Sequence, residues 1–386
     1  MAKDQKMASC GTNKKMRQMV AGVSFISDGY PNTKYKVNYL LNKQGFKNNV
    51  YRLSIGKNRN SFWNSKKAFL VIELTFKSIV CFFRILLFRP DIVYLPYPGI
   101  ILAALFNLYP AKKRPGIYID SIISIYDTVV IDRKLFKPDS SIAGYLYRLE
   151  KLAYKNSKTV ITDTKESSRY FSELFNIPIE KFKDCVLAQV PIRRSIRIAN
   201  NDDILRCLFI GTFIPLQGAE IIAETICRLK PNDNIHVTLV GRGQTSPLVE
   251  NILKNADNKK YTWKKAWLSI TNLEKEIQKA DLCLGIFGNT PKANRVWPFK
   301  NYLYLAAGCP IVTSKTSCAK FIKNKEKRVP IYFPDSNNAE DILTLLRKLS
   351  LEKYKIEMER EKARDFYKKH LSNTVSQREF YKILFS

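Results

Sequence analysis

Three cations, Lys292, Arg295 and Lys300, cluster in the stretch ADLCLGIFGNTPKANRVWPFKNYLYLAAGCPIVT, residues 280–313. Residues 281–287 form an apolar run stopped by Gly288-Asn289-Thr290-Pro291, which reads as a buried strand ending in a turn. Pro298 is a helix-start residue, 301–307 reads as a short helix ended by Gly308, and 310–313 reads as the next strand. A strand, a basic loop, a helix start and another strand present fixed amide donors and mobile cations on one edge, and such an edge favours phosphate. In a chain this basic, three clustered cations also arise from composition alone.

A second loop has the same logic. Gly211-Thr212-Phe213-Ile214-Pro215-Leu216-Gln217-Gly218 follows a strand and precedes a helix, so its glycines let the backbone approach an anion. Gly241-Arg242-Gly243 closes the strand IHVTLVG and is either a further part of that edge or a tight turn. Asp120, at the end of the strand 116–120, and Asp127 in SIYDTVVIDRK are the acids best placed to face a cleft. Thr162-Asp163-Thr164 follows a later strand, where turn capping also accounts for it. No Asp-x-Asp occurs, so a metal-bridged diphosphate lacks its usual ligands.

The elements that must position these residues alternate along the chain. Strands at 20–26, 50–53, 92–94, 116–120, 160–162 and 185–187 are separated by helices near 35–43, 69–88, 99–108, 142–155 and 167–175. Pro191 and RRSIRIANNDD interrupt the pattern, which restarts at residue 205 and ends in helices at 338–349, 351–369 and 375–385. Alternation of this kind predicts parallel sheets covered on both faces. The 386 residues are enough for two domains with their own cores.

Lys+Arg number 65 against 34 Asp+Glu, a net charge of +31, which implies a polyanionic neighbour such as nucleic acid, anionic lipid or a phosphorylated substrate. Eight scattered cysteines with no C-x-x-C pair read as buried free thiols in a reducing compartment. His236 and His370 are the only histidines, which argues against a zinc site or a histidine triad. The segment FLVIELTFKSIVCFFRILLF, residues 69–88, carries Glu73, Lys77 and Arg84 on one helical stripe. It therefore packs in a domain or lies flat in a membrane interface rather than crossing.

The segment 280–313 resembles the donor-site segment of family 4 retaining glycosyltransferases, in a branch with the pattern A-D-x-x-L-G-I-F-G-x-T-x-K-A-x-R-V-x-P-x-K followed by L-A-x-G-x-P. The loop 211–218 is similar to that branch's G-T-F-x-P-x-x-G. The resemblance implies an α/β chain with two Rossmann-like domains facing across a cleft, the GT-B fold. Expected boundaries are 1–192 for an acceptor domain, 203–371 for a nucleotide-sugar domain, and 372–386 for a helix crossing back to the first domain.

By the same resemblance, Gly211, Thr212, Gly218, Gly241, Gly243, Lys292, Arg295 and Lys300 would bind the donor, and Gly29 and Tyr30 the acceptor. Lys300 and Arg295 would stabilise the leaving diphosphate, Asp120 or Asp127 would orient the acceptor, and neither metal nor cofactor would be needed. Many members place an Arg in the first loop, a Lys before its second glycine and two glutamates eight positions apart, where this chain has Gln217, Arg295 and Leu303. The implied partners are a nucleotide-sugar, a glycan or lipid-linked acceptor and an anionic membrane surface, with a cytoplasmic, peripheral location. Two rivals stand beside this reading. A basic nucleic-acid-binding protein lacks any recognisable binding signature here, and another Rossmann-type nucleotide-sugar enzyme lacks a G-x-G-x-x-G after strand one.

Overall fold

The computed structural model describes residues 16–24, 31–43, 45–52, 67–187, 190, 202–266 and 268–385. In chain order the first unit runs β1 (Gln18–Ser24), α1 (Pro31–Leu41), β2 (Phe46–Arg52), α2 (Lys67–Phe88), β3 (Ile92–Leu95), α3 (Ile100–Leu105), β4 (Gly116–Asp120), α4 (Ser141–Asn156), β5 (Thr159–Thr162), α5 (Lys165–Phe175) and β6 (Phe182–Asp184). Its six strands pair in parallel in the order β2-β1-β3-β4-β5-β6. The central strands β3 and β5 are buried along their whole length, as a sheet covered on both faces requires.

The second unit comprises β7 (Leu205–Ile210), α6 (Ala219–Cys227), β8 (Ile235–Val240), α7 (Ser246–Leu253), β9 (Tyr261–Lys264), α8 (Ile270–Lys279), β10 (Leu282–Leu284), α9 (Phe299–Ala306), β11 (Ile311–Val312), α10 (Ser317–Lys323), β12 (Ile331–Tyr332), α11 (Ala339–Leu351) and α12 (Lys353–His370). Its parallel sheet has the order β12-β11-β10-β7-β8-β9, the doubly wound Rossmann order. Strand order reverses between β7 and β10, so the loops at their C-terminal ends, 211–218 and 285–298, border the crevice where such sheets bind ligands. The final helix α13 (Asn373–Phe385) buries Phe380 and Leu384 against Val20, Val37, Leu40 and Tyr94 of the first unit.

Several sequence expectations shift. The strand expected at 185–187 is instead β6, Phe182–Asp184, and residues 185–187 follow it with Cys185 and Leu187 packed under α13. The apolar run 281–287 pairs only over Leu282–Leu284; beyond it Gly285 packs on the Thr313 side chain and Gly288 on the backbone of Pro215 and Leu216, and the chain runs on as loop. Strand β9 was illegible because only a short, half-exposed edge of it packs. Residues 25–30, with Gly29 and Tyr30, and the linker 191–201 lie outside the described residues.

The segment read as a packed or interfacial helix is α2, and it has three faces. Ser78, Cys81, Phe82 and Ile85 are buried, and Glu73 and Lys77 pair on the polar stripe. The third face, Ile72, Phe76, Ile79, Phe83 and Leu87, is exposed, Phe76 at 66% and Leu87 at 84%. Among the described residues no helix is long and apolar enough to cross a membrane.

Candidate functional site

The loops at the switch point of the second sheet are held together by backbone contact. Gly241 has φ +112°, and a Cβ there would stand 2.0 Å from Gly211 O; Gly218 has φ +65°, and a Cβ would stand 2.6 Å from Gly288 N. Side chains at either position would part the loops. Gly211, Gly218, Gly241, Gly243 and Gly288 therefore build one platform from three chain segments, with Phe213 stacked on Trp263 behind it.

Gln217 caps this platform from within. Its Oε1 accepts from Thr212 N at 2.9 Å and Phe213 N at 3.1 Å, and its Nε2 donates to Thr212 Oγ1 at 3.2 Å. The amides of Thr212 and Phe213, in the loop whose glycines suggested backbone approach to an anion, are thus already satisfied. A side-chain plug of this kind has no periodicity or motif to reveal it.

Lys300 sits in the first turn of α9, 7% exposed, with its ammonium 3.7 Å from the centroid of the Phe209 ring. Among the described residues its Nζ has no hydrogen-bond partner, and neither Nδ2 nor Oδ1 of the fully buried Asn301 has one. Burial holds the Lys300 ammonium well below the ordinary lysine range. Buried polar atoms left unsatisfied are costly, and here three of them cluster at a helix start on the ligand edge of a doubly wound sheet.

Lys292 and Arg295 point elsewhere. Arg295 Nη2 lies 2.8 Å from Asp127 Oδ1 of the first unit, and its guanidinium carbon lies 3.5 Å from the centroid of the Tyr170 ring. Lys292 Nζ donates to Thr128 Oγ1 at 2.7 Å and lies 3.4 Å from Asp127 and 3.9 Å from Asp132. Thr164, the N-cap of α5, also donates from Oγ1 to Arg295 O at 2.6 Å. The two units are therefore joined by charge across the cleft. Burial raises the Asp132 carboxyl against the opposing pull of Lys292, and burial followed by the Asp127 charge pushes the Tyr170 phenol up to about 12.

Asp127 opens a π-helical turn, Asp127–Asp132, whose approach is fixed from α4. Glu150 is fully buried and accepts from Ser124 Oγ, Ile125 N, Tyr126 N and Tyr154 Oη at 2.8–3.1 Å. Ser124 Oγ in turn accepts from Asp127 N at 3.0 Å. Asp120 has a different environment from the one its sequence position suggested. It is sealed in a pair with Lys36, 2.7 Å apart and both 0% exposed, so contact with a ligand would require that pair to open.

Sequence reasoning noted Gln217 only as a departure from the family's lysine and missed its role as a plug, and it missed Asn301, Thr128, Asp132, Tyr170 and Glu150. Only Asp132 carried a signal, its place in SIYDTVVIDRK beside Asp127. Thr128, Tyr170 and Glu150 act through contacts between distant segments.

Two Rossmann-like parallel sheets in one chain make the α/β architecture of the GT-B fold. Structural neighbours agree. The chain superposes on Anabaena HepE, whose crystal structure holds UDP and glucose, over 96% of this chain and 100% of that one, with TM-score 0.61 and 12% identity. WaaG, a glycosyltransferase involved in lipopolysaccharide biosynthesis, matches over 96% and 99% with TM-score 0.61 and 14% identity. Sucrose-phosphate synthase from Thermosynechococcus elongatus matches over 96% and 99% with TM-score 0.67 and 12% identity. At these identities the likeness shows the fold. Residues 205–350, a span that includes the glycine loops and Lys300, match the family model described as Glycosyl transferases group 1. No curated protein matches the sequence.

Proposed function

We propose that the protein is a retaining, metal-independent glycosyltransferase that moves a sugar from a nucleotide-sugar, held by the second unit, to a glycan or lipid-linked acceptor at the first. The observation that carries this reading is the buried, unpartnered ammonium of Lys300 beside the unpartnered amide of Asn301, at the start of α9 on the ligand edge. A diphosphate supplies the anion that Lys300 lacks. HepE and WaaG add chemical direction, the first through bound UDP and the second through a lipopolysaccharide pathway.

In this reading Lys300 stabilises the charge that grows on the departing diphosphate as the glycosidic bond breaks, a preorganised electrostatic contribution made by the protein's own cation. Lys292 and Arg295 contribute once turned from their carboxylates. Retention follows from the family 4 resemblance, with the acceptor hydroxyl attacking on the face the diphosphate leaves and the leaving phosphate taking its proton. Asp127, on the first-unit wall, orients the acceptor. Work on surface polysaccharide or lipopolysaccharide would bring the enzyme to an anionic membrane from the cytoplasmic side, and the exposed apolar face of α2 supports that placement.

A panel of nucleotide-sugars tested by thermal shift, with Lys300→Met as control, decides the donor reading. One donor should raise the melting temperature of the wild type and not of the variant. Equal response of both proteins to every donor overturns it.

A further inference from the structure

Lys292 and Arg295 are asked for twice. The donor reading assigns them to a diphosphate, and this inference rests on that reading. In the structure they are fully engaged by the first unit: Arg295 by Asp127 and the Tyr170 ring, Lys292 by Thr128, Asp127 and Asp132. All four charged side chains are no more than 12% exposed. A diphosphate and the two carboxylates offer these cations the same chemistry, clustered anionic oxygens at hydrogen-bond distance.

The two sets of anions exclude one another. Bringing both to the same cations would press like charges together in a water-poor seam, where repulsion is strongly felt. Both carboxylates belong to one piece of structure, because Asp127–Asp132 is a single π-helical turn with Thr128 inside it. Its entrance is anchored by Glu150 through Ser124, and its exit carries Lys134 at φ +51°. On the other side, Arg295 is tied by its backbone to Thr164, so its side chain can swing while the chain stays docked.

We propose that Asp127 and Asp132 are a built-in competitor for the donor, occupying Lys292 and Arg295 until a nucleoside diphosphate displaces them and frees the 127–132 turn. Donor arrival is thereby coupled to release of the wall that orients the acceptor. The apparent affinity for donor is reduced by the fraction of molecules in which the carboxylates hold the cations.

The test is calorimetric titration of UDP, ADP and GDP into wild type, Asp127→Asn and Asp132→Asn, with hydrogen exchange of the 127–132 amides in wild type with and without the nucleotide that binds. Competition requires Asp127→Asn to bind about tenfold more tightly, Asp132→Asn to bind more tightly by a smaller factor, and the wild-type turn to exchange faster when nucleotide is bound. Equal or weaker binding by both variants, or slower or unchanged exchange, overturns the competition while leaving the donor site standing. Binding of no nucleotide by any of the three proteins removes the donor reading itself, and the competition falls with it. Should Asp127→Asn fail to fold, Asp132→Asn and the wild-type exchange measurement decide alone.

Discussion

Arg295 of the second unit and Asp127 of the first meet at 2.8 Å in a seam where neither side chain is more than 11% exposed. The separation in sequence is long, so the contact closes a loop that neither unit closes by itself. Its worth depends on how much desolvation the partners recover from one another. Removing one member of a buried pair costs about 3–5 kcal/mol when the survivor is left unpaired, but Lys292 stays 3.4 Å from Asp127.

A double-mutant cycle with Asp127→Asn and Arg295→Met should therefore return a coupling of about 1–3 kcal/mol in denaturant unfolding, with Arg295→Met alone below the full unpaired cost. Strict additivity would mean that the pair is geometrically close and energetically idle.

Lys300 sets stability against function. A buried ammonium with no hydrogen-bond partner costs the fold free energy, and methionine fills a similar volume without that charge. Lys300→Met should melt higher than wild type while turnover falls by roughly two to three orders of magnitude, the scale of losing one oxyanion-type donor. Activity within a few-fold of wild type would take Lys300 out of the reaction, and a lower melting temperature would show that its stem, not its charge, matters to the fold.

The sequence made the architecture legible because alternating apolar runs and turn residues are local signals, and β4, β5, α4 and α5 begin and end within a few residues of where the pattern puts them. The place of Lys300 in the first turn of α9 was legible for the same reason: a proline, a cation and a short helix stand side by side in the chain. The partners of Lys292 and Arg295 were not. Asp127, Asp132, Thr128 and Tyr170 reach them across the cleft, and single-sequence spacing holds no record of contacts between units. Asp120 shows the complementary limit, since a carboxylate at a strand end looks alike in sequence whether it faces a cleft or a buried Lys36.

Glu150 makes the fold sensitive to pH with a definite sign. Burial pushes its carboxyl from 4.5 up to about 7, outweighing the hydrogen bonds from Tyr126 N, Tyr154, Ser124 and Ile125 N that pull it down. The folded chain then holds this proton more tightly than the unfolded chain, so the stability Glu150 contributes is fully present below about pH 4.5 and is lost as pH rises through about 7. The stability of wild type minus that of Glu150→Gln, measured by urea unfolding, should fall across that window and level off above it. A difference that grows with pH would mean that the four hydrogen bonds favour the ionised group more than burial opposes it.

The exposed face of α2 leads to the last expectation. Ile72, Phe76, Ile79, Phe83 and Leu87 fall within about 80° of one another at roughly 100° per residue, beside the stripe of Glu73, Lys77 and Arg84. At the C-terminal end of the helix, Arg17 and Lys47 each place a cation 4.5 Å from the Phe88 ring, and Arg89 is exposed. An apolar stripe flanked by cations suits an anionic bilayer, where buried apolar area and about 1 kcal/mol per nearby cation act together. The protein should co-sediment with vesicles containing anionic lipid, less so as salt rises, and a Phe76→Ser/Phe83→Ser double variant should lose most of that binding while keeping its fold, because both rings are already exposed. Equal recovery with neutral and anionic vesicles would remove the electrostatic part. Full binding by the double variant would remove α2 from the contact and leave the net charge of +31 acting over the whole surface.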